Sequence, residues 1–222
     1  MTASAPSASA RVVKSIVRGL YEGEYAPGQR LAEPELMAQF GVSRSTARES
    51  IRRMESEGIV TVLPHRGAVI RRMTTAEALD ALMVMELCVG LAARQAAERI
   101  DASGGRARFQ QTWRELQTYR DRPGGYEFIA ARNRFYRVIT ELSGNSELRR
   151  IVPSIHVHLI RRDYSPTLHE RFQDYARMAE AVLAGDGPAA ETAARRHIAR
   201  IAALVRQRAV SGDNAARAQE GV

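Results

Sequence analysis

The first part of the chain carries apolar residues at the three- and four-residue spacing of amphipathic helices. Residues 11–22 hold one such stripe, and a second, shorter helix is predicted from Pro34 to Phe40. A third helix is predicted between Ser43, a good N-cap, and Gly58, which closes it. Its apolar face consists of Ala47, Ile51 and Met54.

The period of the pattern changes after Gly58. Residues 59–63 (Ile-Val-Thr-Val-Leu) are typical of a strand, residues 64–67 of a turn, and residues 68–70 of a second short strand. Three helices and a hairpin within about 70 residues predict a winged helix-turn-helix.

The rest of the chain is predicted to be helical. Thr74 and Glu77 have the spacing of a capping box, which starts a long helix reaching about Ile100. Further segments are separated by Gly-, Pro- and Asn-containing breaks and cover residues 106–121, 125–142, 146–163, 167–184 and 188–209. Six helices with short connections predict an antiparallel bundle, so the fold class is mainly α.

These patterns divide the chain into four parts. Residues 1–10 are expected to be a disordered arm and residues 11–73 the winged helix-turn-helix. The helical domain is expected over residues 74–210, and a flexible tail over residues 211–222.

A basic face lies on the predicted third helix. Arg44, Arg48 and Arg52 recur every four residues, with Ser45 beside the first of them. A short helix with one buried face and one Arg/Ser face fits a DNA major groove. On the helix alone, an ordinary solvated helix is the alternative, with ion pairs from Glu49, Glu55 and Glu57.

The predicted wing decides between these alternatives. Its tip carries Arg66 and Gly67, and an Arg beside a Gly can bring the backbone close to a minor groove and insert a guanidinium. An ordinary hairpin turn is the competing interpretation of the tip, but the helix before it favours DNA.

Composition and charge agree with a DNA partner. The chain has 222 residues, a formal net charge of +8 and a pI of about 10.3, which favours a polyanion without naming one. The single cysteine, Cys88, excludes an intrachain disulfide. Without a signal-peptide pattern or an apolar run of about 20 residues, a cytoplasmic protein with no membrane contact is expected.

The order of these parts resembles the GntR family of bacterial transcription regulators, in its FadR-type branch with an FCD effector domain. The similarity rests on Gly-Gln-Arg-Leu at 28–31, Gly-Val-Ser-Arg-Ser-Thr-Ala-Arg-Glu at 41–49 and Leu-Pro-His-Arg-Gly-Ala at 63–68. The family's usual central string is Gly-Val-Ser-Arg-Thr-Pro-Val-Arg-Glu-Ala-Leu. The resemblance covers about residues 11–209.

The resemblance implies DNA contacts on the third helix and on the wing. The positions that match are Ser43, Arg44, Ser45, Arg48, Arg66 and Gly67. One departure is Pro34, because many members have a basic residue there that touches a phosphate. Arg30 is expected to take over part of that role.

The resemblance also bears on metal binding in the predicted helical domain. Many FCD domains bind a divalent cation through an Asp, a His four residues later, and two further His on later helices. Here Arg132 stands at the Asp position, Tyr136 at the first His and Tyr175 at the second, and only His197 remains. We therefore expect no metal and no other cofactor in this domain.

The replaced residues suggest a different ligand chemistry. A guanidinium binds a carboxylate bidentately, and phenols and an imidazole add directional hydrogen bonds. The hypothesis is that Arg132, Tyr136, Tyr175 and His197 hold an acidic small molecule directly. The alternative is that these side chains fill the pocket themselves, with Arg132 paired to an internal acid such as Glu86.

The expected function is that of a homodimeric, ligand-responsive transcription factor that binds a palindromic operator, with repression the commoner mode in the family. A ligand-independent architectural DNA-binding dimer is the main alternative. An enzyme using the Arg/Tyr/His pocket is a more remote one, because there is no paired carboxylate, nucleophile elbow or phosphate loop. The chain is therefore expected not to be an enzyme.

Overall fold

The polypeptide divides into two units between Met73 and Thr74. The computed structural model describes residues 7–63, 67–121, 125–154 and 166–220. Within these ranges no helix is both long enough and apolar enough to cross a membrane.

The first unit has the predicted winged helix-turn-helix. Its elements are α1 (Ala8–Glu22), β1 (Arg30–Leu31), α2 (Glu33–Phe40), α3 (Arg44–Ser56), β2 (Val60–Leu63) and β3 (Gly67–Ile70). The three strands form an antiparallel sheet in the order β1-β3-β2, with Arg30 opposite Val69 and Val62 opposite Ala68. The two-residue strand β1 was not predicted, because two residues are too few to show a period.

The core of this unit comes from the apolar faces predicted by periodicity. Ile16 of α1, Leu36 of α2 and Met54 of α3 are buried and pack in one cluster with Ile59 and Ile70. Gly41 adopts a left-handed conformation (φ 61°) between α2 and α3, a conformation that most other residues adopt only with strain. This turn sets the direction in which α3 leaves the core.

The second unit is helical. Its elements are α4 (Thr75–Glu98), a 3₁₀ turn (Ala102–Gly104), α5 (Gly105–Gln117), α6 (Tyr126–Leu142), α7 (Ser146–Ser154), α8 (Leu168–Ala184) and α9 (Gly187–Glu220). Thr74 and Glu77 form the predicted capping box at the start of α4. Helix α4 packs along α9, and α9 packs on α8. The contact between α4 and α9 is close, because a Cβ on Gly90 would lie 2.6 Å from Cγ of Arg195.

Three predicted boundaries need correction or fall outside the described residues. The arm predicted over residues 1–10 is wrong for its last residues, since Ser7 caps α1 and the helix begins at Ala8. The tail predicted over residues 211–222 is helical as far as Glu220, because an Ala-rich segment without proline continues α9. The helix predicted over 146–163 is described only to Ser154.

Candidate nucleic-acid interface and effector site

The N-terminus of α3 presents hydroxyl groups at the surface. The Ser43 side chain accepts a hydrogen bond from the Thr46 backbone N–H (3.2 Å), which caps the helix. The Ser43 Oγ also lies 2.9 Å from the Ser45 Oγ and 3.0 Å from the Thr46 Oγ1. These groups can donate to phosphates or base edges when the helix enters a groove.

Replacing Ser43 by Ala is expected to lower the stability of the winged-helix unit by about 1 kcal/mol, the usual effect of losing an N-cap. Amide hydrogen exchange along α3 would measure this loss within the unit. Ser45→Ala is the matched control, because the Ser45 hydroxyl contacts the Ser43 hydroxyl and not a backbone amide of the helix. Equal loss of protection in both variants would contradict the capping role.

Two arginines of α3 share one carboxylate. The Arg48 Nε lies 3.0 Å from Glu33 Oε1, and the Arg44 Nε lies 3.3 Å from Glu33 Oε2. Both arginines are exposed, and the hydrogen bond from Arg48, with a smaller one from Arg44, holds the pKa of Glu33 below its usual value. Glu33 therefore keeps the two guanidinium groups side by side on the solvent face of α3.

The base of the wing carries a further cation. Arg30 lies on β1, and its side chain passes beside Gly67, where an added Cβ would be 3.7 Å from the Arg30 Nε. Gly67 has a positive φ of 75°. The predicted wing residue Arg66 lies outside the described residues. The predicted phosphate contact Arg30 and the wing residue Gly67 lie side by side.

Three aromatic rings predicted to line the effector pocket meet inside the helical unit. The Tyr175 and His197 ring centroids are 5.0 Å apart, and both side chains are fully buried. The Tyr136 ring lies 6.3 Å from Tyr175 and 6.4 Å from His197. Helices α6, α8 and α9 thus each contribute one ring to a single cluster.

The fourth predicted residue is Arg132, one helical turn before Tyr136 on α6. Its residue surface is only 5% exposed, and its Nη2 donates to the Asn133 Oδ1 at 2.8 Å. Glu86, the acid expected in the alternative interpretation, instead accepts from the Arg195 Nε at 3.1 Å.

Asp174, which was not among the predicted site residues, joins this cluster. Its buried carboxylate accepts from the His197 Nδ1 (3.2 Å) and from the Arg200 Nε (3.0 Å). Burial raises the pKa of Asp174, but the hydrogen bonds from His197 and Arg200 lower it more, so the net pKa is below the usual value. The charged carboxylate fixes the orientation of the His197 ring.

A signal for Asp174 was present in the sequence. It lies four residues before Met178 and eight before Val182, on the apolar face of α8, where a charged residue needs a partner. Glu33 gave no comparable signal, because its arginine partners are 11 and 15 residues away across a turn.

The groups that the described residues gather around His197 do not make up the usual ligand set of a divalent cation. A carboxylate holding a histidine is common around metal ions, but it needs further imidazole, thiolate or carboxylate ligands. No group of three or more such residues gathers anywhere in the described parts of the chain. The rings beside His197 are those of Tyr136 and Tyr175, and Arg132 lies one helical turn before Tyr136.

Known protein families match both units of the chain. The family model for bacterial regulatory proteins of the gntR family matches residues 8–70, and the FCD domain model matches residues 77–200.

The chain belongs to the GntR family.

Its relatives include other regulators of transcription. This GntR protein is 32% identical over 186 residues to an HTH-type transcriptional regulator in an unstable DNA locus of Streptomyces ambofaciens, covering 79% of this chain and 75% of the relative. It is 22% identical to the repressor RspR of Escherichia coli, with 82% of each chain covered. The solved structure of E. coli McbR/YncC superimposes with a TM-score of 0.76 at 19% identity, covering 92% of this chain and 99% of that one.

These comparisons confirm several predictions for this GntR protein. It is a DNA-binding transcriptional regulator with an FCD domain, and not an enzyme. The mainly α fold, with a winged helix-turn-helix and a helical domain, is also confirmed. The individual DNA-contacting and effector-binding residues stay predictions, as does the absence of metal.

Proposed function

We propose that this GntR protein is a repressor whose affinity for a palindromic operator is controlled by a small acidic metabolite bound directly in the helical unit, without a metal. The relative RspR is named a transcriptional repressor. The mode of control in this chain is our inference from the geometry of the two sites.

The DNA-binding part of the proposal rests on one observation, the shared Glu33. Arg44 and Arg48 stand one turn apart on the exposed face of a capped helix, each within 3.3 Å of the Glu33 carboxylate. A guanidinium can form two parallel hydrogen bonds to guanine O6 and N7, which makes Arg suited to reading base edges. Glu33 pre-orients both side chains, and DNA then competes with it for them.

The palindrome follows from symmetry. One α3 helix contacts only a few base pairs, so tight and selective binding needs two copies. Two identical chains related by a two-fold axis bind two inverted half-sites.

The effector part rests on the buried cluster. The Tyr175 hydroxyl is buried and has no hydrogen-bond partner among the described residues, an arrangement that costs about 1–3 kcal/mol. A ligand oxygen beside the rings of Tyr136 and His197 would supply that partner. The buried Arg132 guanidinium suits a carboxylate, because it can bind both oxygens at once.

Control by the metabolite requires that the dimer has two arrangements, one of which binds the operator more tightly, and that these two arrangements bind the metabolite with different affinities. A metabolite that binds one arrangement of the dimer better than another shifts the population toward it. Operator affinity then changes by the same coupling factor as metabolite affinity.

Binding-site selection from random DNA duplexes, followed by titration of the selected site, tests the proposal. We expect an inverted repeat to be enriched and one or more metabolic carboxylates to weaken its binding. Enrichment of no sequence would contradict the operator. Binding that no carboxylate changes would favour an architectural, ligand-independent dimer.

Replacing Arg132 by Ala is expected to reduce affinity for the effective carboxylate at least tenfold, because the variant loses a charge-assisted bidentate contact. Isothermal titration calorimetry measures this directly. Arg137→Ala is the matched control, since Arg137 lies on the same helix, is exposed and pairs with Glu141 at 3.8 Å. Equal affinity in wild type and Arg132→Ala would exclude a role for Arg132 in binding.

A further inference from the structure

Glu33 places a negative charge in the surface that is predicted to meet DNA. It is the first residue of α2, and its side chain is 25% exposed beside the N-terminal half of α3. Arg44 and Arg48 both pair with this one carboxylate, and in the described parts of the chain no other acid pairs with either of them. A carboxylate repels phosphates, so its position among cations that bind DNA requires a physical reason.

The contacts with Glu33 engage only part of each guanidinium group. Arg44 donates from Nε at 3.3 Å, and its two terminal nitrogens make none of the contacts with the carboxylate. Arg48 donates from Nε at 3.0 Å and from Nη2 at a longer 3.4 Å. Because two terminal nitrogens can together bind guanine O6 and N7, an operator guanine can be bound while both Nε contacts with Glu33 persist. Guanine then competes with Glu33 only for the longer Arg48 contact.

A random duplex offers these two arginines a different partner. Where no guanine lies opposite them, the DNA groups within reach are phosphates, which carry no sequence information. A guanidinium that turns to a phosphate breaks its contact with Glu33 and leaves the carboxylate beside a negatively charged backbone. The lost ion pair and the repulsion both weaken binding to random DNA, and neither applies to the same degree at an operator guanine.

We propose that Glu33 is a specificity-determining residue, whose carboxylate holds Arg44 and Arg48 for guanine and withholds them from the phosphates of random DNA. The proposal deepens the proposed function and rests on its DNA-binding part. It assigns selectivity to an acidic residue of α2 in addition to the basic face of α3.

The exposure of the ion pairs sets the size of the effect. The side chains of Arg44 and Arg48 are 73% and 55% exposed, and exposed ion pairs contribute little to stability, so the fold is expected to tolerate the loss of Glu33. Release of two such contacts is expected to raise affinity for random DNA roughly three- to tenfold. A factor of this size matters because an operator competes with a very large number of random sites in a genome.

Fluorescence anisotropy of the full-length protein with the selected operator and with a random duplex tests the proposal. Glu33→Gln removes the charge and keeps the shape, and we expect it to bind the random duplex roughly three- to tenfold more tightly than wild type. Operator affinity is expected to change by less than about twofold, because the lost repulsion offsets the lost orientation. A variant that had merely lost structure would instead bind both duplexes more weakly.

Glu57→Gln is the matched control. It removes the same charge and releases Arg53, its partner at 2.9 Å, but does so near the C-terminus of α3. We expect it to change neither affinity by more than about twofold. Wild-type selectivity in Glu33→Gln, or weaker binding of this variant to random DNA, overturns the proposal. A control that loses as much selectivity as Glu33→Gln overturns it as well.

Salt dependence measures whether the released arginines bind phosphates. Each additional phosphate contact steepens the slope of log affinity against log salt concentration by about 0.9, so the random-duplex slope of Glu33→Gln is expected to be steeper by about 1–2. In an Arg44→Ala/Arg48→Ala background Glu33→Gln releases neither arginine, and we expect it to leave the slope unchanged. Equal steepening in both backgrounds would show that Glu33 does not act through these arginines.

Failure of this proposal and failure of the proposed function give different results. A protein that enriches no operator, but whose random-duplex affinity and salt slope both rise in Glu33→Gln, would refute the proposed function while Glu33 still withholds the arginines from phosphates. An inverted repeat that Glu33→Gln binds with unchanged selectivity would do the reverse.

Discussion

Asp174→Asn is expected to lower the free energy of unfolding of the helical unit by roughly 3 kcal/mol, at the low end of the range for breaking a buried ion pair. The carboxylate is the common acceptor for His197 and Arg200, and an amide neither neutralises Arg200 nor accepts from both as strongly. We expect the smaller destabilisation of that range because the Arg200 side chain is 27% exposed and keeps Glu170 as a second ion-pair partner at 3.2 Å.

Urea unfolding followed by tryptophan fluorescence measures this loss, because the only tryptophan, Trp113, lies on α5 within the helical unit. Glu180→Gln is the matched control, since Glu180 is exposed on the same helix as Asp174. The control is expected to change stability by less than about 0.5 kcal/mol. Equal unfolding midpoints for Asp174→Asn and wild type would show that the cluster does not stabilise the fold.

The same carboxylate predicts a dependence on pH. Its folded-state pKa is lowered from the usual 3.8, so its contribution to stability is fully present above that value. The contribution is lost as the pH falls below 3.8 and through the folded-state pKa. We expect the stability difference between wild type and Asp174→Asn to shrink in that acidic window.

Arg48→Ala is expected to weaken binding to the selected operator by roughly ten- to a hundredfold, the range for a lost base contact. Arg48 makes the closest contact with Glu33 and lies one turn into α3, where the helix can approach base edges. Glu33 then keeps Arg44 as its ion-pair partner among the described residues.

Fluorescence anisotropy with the selected operator and with a random duplex measures the effect. A base contact predicts that affinity for the operator falls more than affinity for the random duplex, whereas a phosphate contact predicts equal losses. Arg53→Ala is the matched control: it removes the same charge from the same helix, but Arg53 pairs with Glu57 near the C-terminus of α3. Unchanged operator affinity in Arg48→Ala would mean that a different face of α3 contacts DNA.

Local physics explains why the sequence predicted the winged helix well. Gly41 ends α2 through its own left-handed conformation, and Ser43 caps α3 by accepting from an amide three residues later. Both effects are local, so a few residues of sequence are enough to predict the end of α2 and the start of α3. The buried positions Ala47, Ile51 and Met54 follow from a period of 3.6 residues. The tail prediction is wrong for residues 211–220, because a helix can continue beyond the apolar stripe that periodicity detects.

Sequence patterns predicted the candidate effector site only in part. Tyr136, Tyr175 and His197 were predicted together from family positions, and the structure brings their rings together. Asp174 and Arg200 were missed: the apolar face of α8 marks Asp174 as buried but names no partner for it, and an Arg on an amphipathic helix usually faces solvent. Their pairing depends on how α8 packs against α9, which no local pattern specifies.

The sequence by itself indicated most of the helices and the two strands of the hairpin, which faces are buried and that Ser43, Arg44 and Arg48 of α3 lie away from the core. These features depend on dihedral preferences and periodicity, which act over a few residues. Tertiary structure alone decided that Glu33 holds two arginines and that Asp174 orients His197. Each of these depends on which helices pack together, and packing joins residues that are distant along the chain.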